Sequence, residues 1–578
     1  MRHGLLLAGG SRQVPRSLTH SEAPAQIVKA PTSRVWQFLI IAAGALFFIP
    51  FLGGMNLIDW DEANFAEVSR EMIVTGNYLD PTINYEPFHE KPPLFFWLQS
   101  VSMRVFGIHE FAARFPNAIA GIITLLVLFS IGRRLYNDHK FGLLWVAFWF
   151  ASYLPHFYFK SGIIDPWYNL FTFLGLYFMI RLSWTRRVGK EGQWRWVVAS
   201  GFFLGLAVLT KGPVALGLIL LAFIGHMFVS KLKLPMSIGQ FGVFMMTLCG
   251  VAALWLLTQY LMTGGGSVVE FVEYQYRLFS TPDGGHSGFP GFHVVMLLIG
   301  CFPASVLAFG VIGVKPSHRQ TRADFAKWMH VLLIVVIVVF SIVQTKIVHY
   351  TSLAYYPVTF LAALTFYRVF MGRRFNRGLK ISLATAMGVV SLVLLAVPFF
   401  MSHPQWLEGI SNDPLTKTIL MSDVQWSMWT YAPGVLLLML TLATISLWLR
   451  RLRKAWVYVF LAAMPLVVAS SIIVYAPKVE HYTQRPAIEF FKQLEGKDVD
   501  VICYKYKSYA HYFYAKVMPQ EISSLSDHDL LTAPIERDVY ISARVDRADE
   551  LRRRMDIEEL GSGGGFVFFK RARPGIPL

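Results

Sequence analysis

Runs of apolar residues long enough to cross a lipid bilayer are the feature that most constrains this chain of 578 residues. A membrane-spanning helix needs about 20 consecutive apolar residues to cross a hydrocarbon core about 30 Å thick. Composition agrees, since 54% of the residues are hydrophobic and 15% are charged, against about 25% charged in soluble globular proteins. The sequence therefore predicts an α-helical polytopic membrane protein.

Thirteen runs are predicted to span the membrane, with errors of a few residues at each end. They are residues 36–57, 113–134, 141–159, 166–183, 196–210, 213–230, 237–262, 291–314, 328–344, 351–370, 380–401, 427–449 and 455–476. The stretch 196–230 is too long for one helix. We divide it at Lys211-Gly212-Pro213, because glycine and proline break helices and a lysine is costly in lipid.

The charges of the loops predict the orientation of these spans. Lysine and arginine outnumber aspartate and glutamate by 53 to 36, an excess that often indicates nucleic-acid binding. Here the basic residues cluster in short loops after the even-numbered spans, so the positive-inside rule explains them and no nucleic-acid partner is expected. Residues 1–35 are then a cytoplasmic tail, 36–476 the membrane domain and 477–578 a domain on the outer side.

The polar segment 477–578 alternates helix-like and strand-like stretches, which predicts a small α/β domain. Its predicted elements are a helix at Pro486–Leu494, strands at Val499–Tyr506 and Asp538–Val545, an amphipathic helix at Arg547–Met555 and a glycine-rich turn into Phe566–Lys570. The segment carries no recognisable catalytic motif. We expect it to support the membrane domain or to help admit substrate.

The outer loop 58–112 carries the most informative residues. Asp61 and Glu62 are the candidate catalytic acids. They begin a predicted amphipathic helix at the membrane surface, and Gly76 ends it. The apolar face of this helix is predicted to consist of Phe65, Val68, Met72 and Ile73. Asp61 alone is explained as an N-cap, whose carboxylate would accept hydrogen bonds from the amides of the first turn.

The end of the same loop favours a functional interpretation. Two prolines stiffen the chain directly after Lys91, which fixes the ammonium group in one place. Glu90 and His89 precede it, and the apolar stretch 94–106 is too short to span, so it re-enters the membrane or lies at the surface. These charges suit a phosphorylated lipid, although Lys91 alone is also explained as a lysine that snorkels to the interface.

Further candidates lie near the outer ends of later spans. Lys211 and Arg277 would join Lys91 as cations for a phosphate or diphosphate group. Asp165 is explained structurally as an N-cap before a proline at the first helical position. The remaining candidates are Tyr274 and His286 in the glycine-rich loop 263–290, and the pair His349 and Tyr350, which is also typical of an interfacial belt.

The order of these motifs resembles the GT-C glycosyltransferases. The motifs are Asp61-Glu62 in the first outer loop, His89-Glu90-Lys91-Pro92-Pro93-Leu94 at its end, Lys211-Gly212-Pro213 at a span junction and Lys346-Ile347-Val348-His349-Tyr350 at a later one. Within this group the chain is similar to the branch related to protein mannosyltransferases, which includes 4-amino-4-deoxy-L-arabinose lipid A transferases. The resemblance covers essentially the whole chain.

The resemblance implies transfer of 4-amino-4-deoxy-L-arabinose from undecaprenyl phosphate to a lipid A phosphate. The reaction would occur at the periplasmic face of a Gram-negative inner membrane and would give resistance to polymyxin and other cationic peptides. The resemblance also implies that Asp61 is the acid of the first loop. It implies that Lys91 and Arg277 contact the lipid phosphate, with Tyr350 as a weaker match.

Several alternatives stay open at the level of the sequence. The acceptor could be a protein hydroxyl, which would require Asp61 to act as a general base. A transporter of lipid-linked sugars is disfavoured by the lack of an internal repeat, and a sensor or scaffold that uses the outer tail is neither supported nor excluded. No cofactor is expected, although Glu90 and His89, with Asp61 or His286, could hold a divalent ion.

Overall fold

The computed structural model describes residues 34–187, 189, 192–229, 236–280, 288–313, 317–407, 409, 411–452, 454–519 and 525–573. The helices before the tail are α1 Arg34–Phe48, α2 Asp61–Thr75, α3 Leu94–Phe106, α4 Glu110–Tyr136, α5 His139–Phe150, α6 Tyr153–Phe157, α7 Asp165–Arg187, α8 Gln193–Lys211, α9 Val214–Val229, α10 Ile238–Thr263, α11 Gly266–Ser280, α12 Phe292–Gly300, α13 Ala304–Ala308, α14 Gln320–Ile342, α15 Tyr355–Phe370, α16 Arg377–Met401, α17 Pro414–Leu420, α18 Ala432–Leu449 and α19 Ala455–Thr483. Two short strands, β1 Thr82–Ile83 and β2 Glu86–Pro87, pair within the loop between α2 and α3.

Among the described residues, seven helices are long and apolar enough to cross a membrane, and two strongly bent pairs raise this number to nine if each pair is one span. The pair formed by α6 with its following turn and α7 is bent by 116°, and the pair α12 and α13 by 103°. Three shorter apolar helices accompany them, α1, α3 and α9. The structure confirms the predicted polytopic helical fold, whereas the count of thirteen spans stays a prediction.

Each predicted run coincides with a helix or a pair of helices, but several bounds differ. The first helix ends at Phe48 rather than near residue 57, and the run 141–159 is divided between α5 and α6. The last run continues to Thr483 instead of ending at Ala476. The division at Lys211 is confirmed, because Gly212 has φ 88°, a left-handed value that ends α8 and lets α9 begin at Val214.

The tail folds into a small α/β domain, as predicted. Its elements are α20 Arg485–Lys492, β3 Val499–Tyr504, α21 Ala510–Ala515, α22 Asp527–Thr532, β4 Asp538–Arg544, α23 Ala548–Arg552, β5 Glu558–Gly563 and β6 Phe566–Arg571. The sheet has the order β3-β4-β6-β5, in which β3 and β4 are parallel and the other pairs are antiparallel. The strand β5 was not predicted, because glycines occupy two of its six positions.

The helix α2 is buried on both faces, which corrects the prediction of a helix lying at the membrane surface. Phe65, Val68 and Met72 pack into an apolar cluster with α3, as the predicted apolar face requires. The opposite face contacts the tail, where Arg70 donates a hydrogen bond to the carbonyl oxygen of Val517 at 2.9 Å. The polar face therefore meets the α/β domain and not water.

Hydrogen bonds from the tail also hold the chain that enters α2. The Tyr514 hydroxyl accepts from the Leu57 amide at 2.7 Å. Gln484 accepts from the Asp59 amide at 2.8 Å and donates to the Leu57 carbonyl oxygen at 2.6 Å. The tail domain and the outer loop are thus one packed unit in the described part of the chain.

A buried acidic pair on α2 gives this unit a dependence on pH. Glu67 forms an ion pair with Arg70, while Glu71 accepts from the Thr82 hydroxyl and the Tyr85 amide. Burial, and then the neighbouring Glu67 carboxylate, raise the pKa of Glu71 from 4.5 to about 8. Between these two values the folded chain keeps a proton that the unfolded chain has lost, so stability falls as pH rises from 4.5 to about 8.

We expect Glu71→Gln to remove this dependence, because an amide mimics the protonated carboxyl at every pH. The melting temperature of the purified protein should rise at pH 8 relative to the unchanged chain and differ little at pH 5. Glu489→Gln, at an exposed position of α20, should alter neither value. Equal melting curves of Glu71→Gln and the unchanged chain at pH 8 would contradict the raised pKa.

Candidate active site

The start of α2 is fixed by a buried ion pair. Arg114 on α4 donates to both carboxylate oxygens of Glu62, at 3.0 and 2.7 Å. The same guanidinium donates to the carbonyl oxygens of Leu52, Met55 and Asn56 at 2.8, 2.9 and 2.8 Å. Glu62 also accepts from the Ile58 amide at 2.8 Å. With these bonds both oxygens of Glu62 are engaged, and the ion pair holds the preceding turn in place.

Asp61 begins α2 and faces a cavity, but it does not cap the helix. Trp60 occupies the N-cap position without a side-chain hydrogen bond to the helix, so the N-cap explanation of Asp61 is wrong. The Asp61 carboxylate is 40% exposed and lies 3.3 Å from His349 Nε2. The same nitrogen lies 3.7 Å from Asp165. His349 therefore joins an accessible carboxylate to a buried one.

Lys211 and Asp165 form a second ion pair in the wall of the cavity. Lys211 Nζ donates to Asp165 Oδ1 at 2.7 Å, and the carboxylate is 2% exposed. The ammonium group lies 5.1 Å from the centroid of the Tyr350 ring and 5.6 Å from that of Tyr168. Asp165 thus balances the charge of Lys211, and the Lys211 ammonium group lies between aromatic rings.

Lys91 and Arg277 meet at Tyr274. Lys91 Nζ donates to the Tyr274 hydroxyl at 2.8 Å and lies 4.2 Å from the centroid of its ring. The Arg277 guanidinium lies 5.1 Å from the same centroid. Since Lys91 belongs to the loop before α3 and the other two residues to α11, one aromatic side chain gathers two cations from distant parts of the sequence.

These groups line one cavity of about 720 Å³. The predicted site residues in its wall are Asp61, Glu62, Glu90, Lys91, Asp165, Lys211, Tyr274, Arg277, His349 and Tyr350. His89 is directed elsewhere and contacts Asp80 at 3.2 Å and Glu270 at 2.7 Å. His286 lies outside the described residues. The described site residues other than His89 are therefore brought together, with acids on α2 and α7 and cations around them.

Among the described residues, no group of three or more histidines, cysteines, aspartates and glutamates has the arrangement of a metal site. Glu90 lines the cavity, whereas His89 joins the loop to α11 through Glu270. The pair proposed from the sequence as a weak metal ligand set is thus divided between two different environments.

The chain is similar in sequence to known glycosyltransferases. Residues 90–262 match the family model described as dolichyl-phosphate-mannose-protein mannosyltransferase. Two relatives are named undecaprenyl phosphate-alpha-4-amino-4-deoxy-L-arabinose arabinosyl transferase 1. The relative from Proteus mirabilis is 24% identical over 330 residues, which are 57% of this chain and 58% of that protein. The relative from Pseudomonas fluorescens is 26% identical over 381 residues, 64% of this chain and 67% of that protein. The alignments thus span about 58 to 67% of the length of these two relatives.

The whole fold is matched by a solved structure. The crystal structure of ArnT from Cupriavidus metallidurans bound to undecaprenyl phosphate has a TM-score of 0.73 at 16% identity and covers 95% of this chain and 100% of that chain. The structure of the same protein in the apo state has a TM-score of 0.71. The chain has the GT-C fold.

Sequence reasoning missed several side chains at this cavity, among them an aromatic residue before α2 and two residues of the tail. Trp60, Lys507 and Tyr509 line it, and the last two belong to the tail. Nothing local in the tail sequence distinguishes them, because their position depends on docking of the α/β domain. Arg114 was also missed, although an arginine inside a predicted apolar run is a signal of a buried polar partner.

We expect the pair of Lys211 and Asp165 to be needed for the stability of the GT-C domain. Lys211→Met leaves the Asp165 carboxylate buried without a cation, which costs about 3–5 kcal/mol in buried pairs. The melting temperature should therefore fall. Adding Asp165→Asn removes the uncompensated charge and should recover part of the loss. A double variant that melts below Lys211→Met would contradict the buried pair.

Proposed function

We propose that this chain is a glycosyltransferase that moves 4-amino-4-deoxy-L-arabinose from undecaprenyl phosphate to a phosphate group of lipid A. The names of its relatives support the donor and the sugar. The observation that carries the proposal is that Asp61, Lys91 and Arg277 line one and the same cavity. The reaction would occur at the periplasmic face of a Gram-negative inner membrane and would lower the attraction of the cell surface for polymyxin.

The two cations at Tyr274 suit the leaving group of this reaction. Cleavage of the bond between the anomeric carbon and the donor oxygen releases undecaprenyl phosphate and builds negative charge on that phosphate. Lys91 and Arg277 are already held at one ring and can stabilise this charge without reorganisation. A phosphate oxygen of the acceptor forms the new bond to the anomeric carbon, so the reaction needs no other reactant.

Asp61 has an orienting role in this proposal. Glycosyl transfer passes through a transition state with oxocarbenium character, which a nearby carboxylate stabilises. A phosphate acceptor is already largely ionised at neutral pH and needs no general base. His349 lies 3.3 Å from the Asp61 carboxylate and would fix its direction, and Asp61 could bind the amine of the donor sugar.

Glu62 supports Asp61 rather than contacting substrate. Its two oxygens accept from Arg114 and from backbone amides, so it presents no unused carboxylate oxygen to the cavity. We assign Glu62 to positioning of α2. Asp165 and Lys211 would also have positioning roles, Asp165 through His349 and Lys211 through Tyr350. Lys211 also lines the cavity, where its positive charge would attract an anion.

We expect Asp61→Asn to separate transfer from binding. Transfer of sugar to lipid A should fall by about 100-fold or more, in the range found for loss of one group that stabilises transition-state charge. Binding of undecaprenyl phosphate should stay within about twofold, because the cations that hold the phosphate are intact. Lys91→Met should instead weaken this binding about tenfold.

Glu86→Gln is the control for these variants, because Glu86 is exposed on the same loop and lies outside the cavity wall formed by the described residues. Its transfer and binding should equal those of the unchanged chain. Transfer can be followed by mass spectrometry of lipid A after incubation with the lipid-linked sugar. Near-normal transfer by Asp61→Asn would remove Asp61 from the mechanism.

We also expect activity to persist in excess chelator. Lys91 and Arg277 already supply positive charge to the cavity, which is the role that a divalent ion would have toward a lipid phosphate. Transfer by purified protein should therefore be equal with and without chelator. Activity that is lost in chelator and restored by a divalent metal would contradict this expectation.

A protein hydroxyl is the second candidate acceptor, because residues 90–262 match the family model described as dolichyl-phosphate-mannose-protein mannosyltransferase. A hydroxyl must lose its proton as it attacks, so Asp61 would then be a general base. The two candidates differ in the labelled product. Incubation of membranes with a labelled lipid-linked sugar would label lipid A in the first case and protein in the second.

A further inference from the structure

The connection between β3 and α21 brings a lysine of the tail domain to the cavity. This connection is anchored at Tyr509, whose amide donates to Asp59 at 2.9 Å. The Tyr509 ring also meets the Trp60 ring edge to face, with centroids 6.2 Å apart. Both anchors lie immediately before Asp61. The tail therefore reaches the cavity beside the start of α2.

Lys507 is held at this place by the same two rings. Its ammonium nitrogen lies 5.6 Å from the centroid of Trp60 and 5.1 Å from that of Tyr509. The residue is exposed and lines the cavity. Contact with two aromatic faces restricts the long side chain and holds its ammonium group at the wall of the cavity.

Lys507 differs from the other cations of the cavity in the elements that position it. Lys91 and Arg277 share Tyr274, and Lys211 pairs with Asp165. Lys507 is contributed by the α/β domain and rests on Trp60, next to Asp61. The tail domain thus contributes a cation to the wall of the cavity beside Asp61. This cation is held by other residues than the pair at Tyr274.

Transfer between two lipid phosphates needs two anionic groups near one reacting carbon. The nucleophile attacks from a direction different from that of the leaving group, so the two phosphates require separate cations. The pair at Tyr274 suits one of them. We propose that Lys507 binds the phosphate of the acceptor, a phosphorylated membrane glycolipid, and so contributes to the choice of acceptor. This inference rests on the proposed function.

The test measures binding of two lipids to the full-length protein in detergent by native mass spectrometry. The probes are diphosphoryl lipid A and undecaprenyl phosphate. Lys507→Met keeps the unbranched stem on the two rings but removes the charge. It should weaken binding of lipid A about tenfold and leave undecaprenyl phosphate within about twofold, because one charge-assisted contact is lost on the acceptor side only. Lys507→Arg should bind both lipids nearly as well as the unchanged chain.

Lys505→Ala is the matched control, because Lys505 lies two residues earlier in the same connection and pairs with Glu550. It should bind both lipids normally. The inference is overturned if Lys507→Met binds lipid A as tightly as the unchanged chain does. It is also overturned if both lipids weaken equally, or if the unchanged chain does not bind lipid A. Binding of both lipids without sugar transfer would instead count against the proposed function.

Discussion

The buried ion pair between Arg114 and Glu62 is the interaction on which the cavity depends. A charge inside a protein is stable only when it is paired and its remaining donors are satisfied. Arg114 meets this condition with Glu62 and with backbone carbonyl oxygens of the turn after α1. Because the residue before Glu62 is Asp61, the pair that secures the fold also sets the position of the acid at the cavity.

Three separate parts of the chain meet around that acid. The membrane helices supply Asp165 and Lys211, the outer loop supplies Asp61 and Lys91, and the tail supplies Lys507. Buried charges in this assembly are neutralised pairwise, as in Lys211 with Asp165, whereas the accessible cations rest on aromatic rings. A cation in a buried ion pair mainly supports the fold, whereas an accessible cation at the wall of the cavity can meet an anionic ligand.

The sequence was a good guide wherever the signal was local. Gly76 ends α2 in a left-handed conformation, and Gly212 divides the run 196–230, because only glycine adopts such backbone angles readily. It was a poor guide where burial depended on a distant partner. The helix α2 was predicted to lie at the membrane surface, since nothing near it in the chain indicates that its polar face meets Val517 of the tail.

The sequence by itself determined the helical membrane fold, the presence of the α/β tail and the residue types at the site. Apolar run length and residue order are sufficient for this, because a bilayer leaves few ways to satisfy the backbone. Only the tertiary structure decided that His349 links Asp61 to Asp165 and that Lys507 reaches Trp60. These contacts join residues more than a hundred positions apart, and their distances follow from how helices, loop and tail pack rather than from any local pattern.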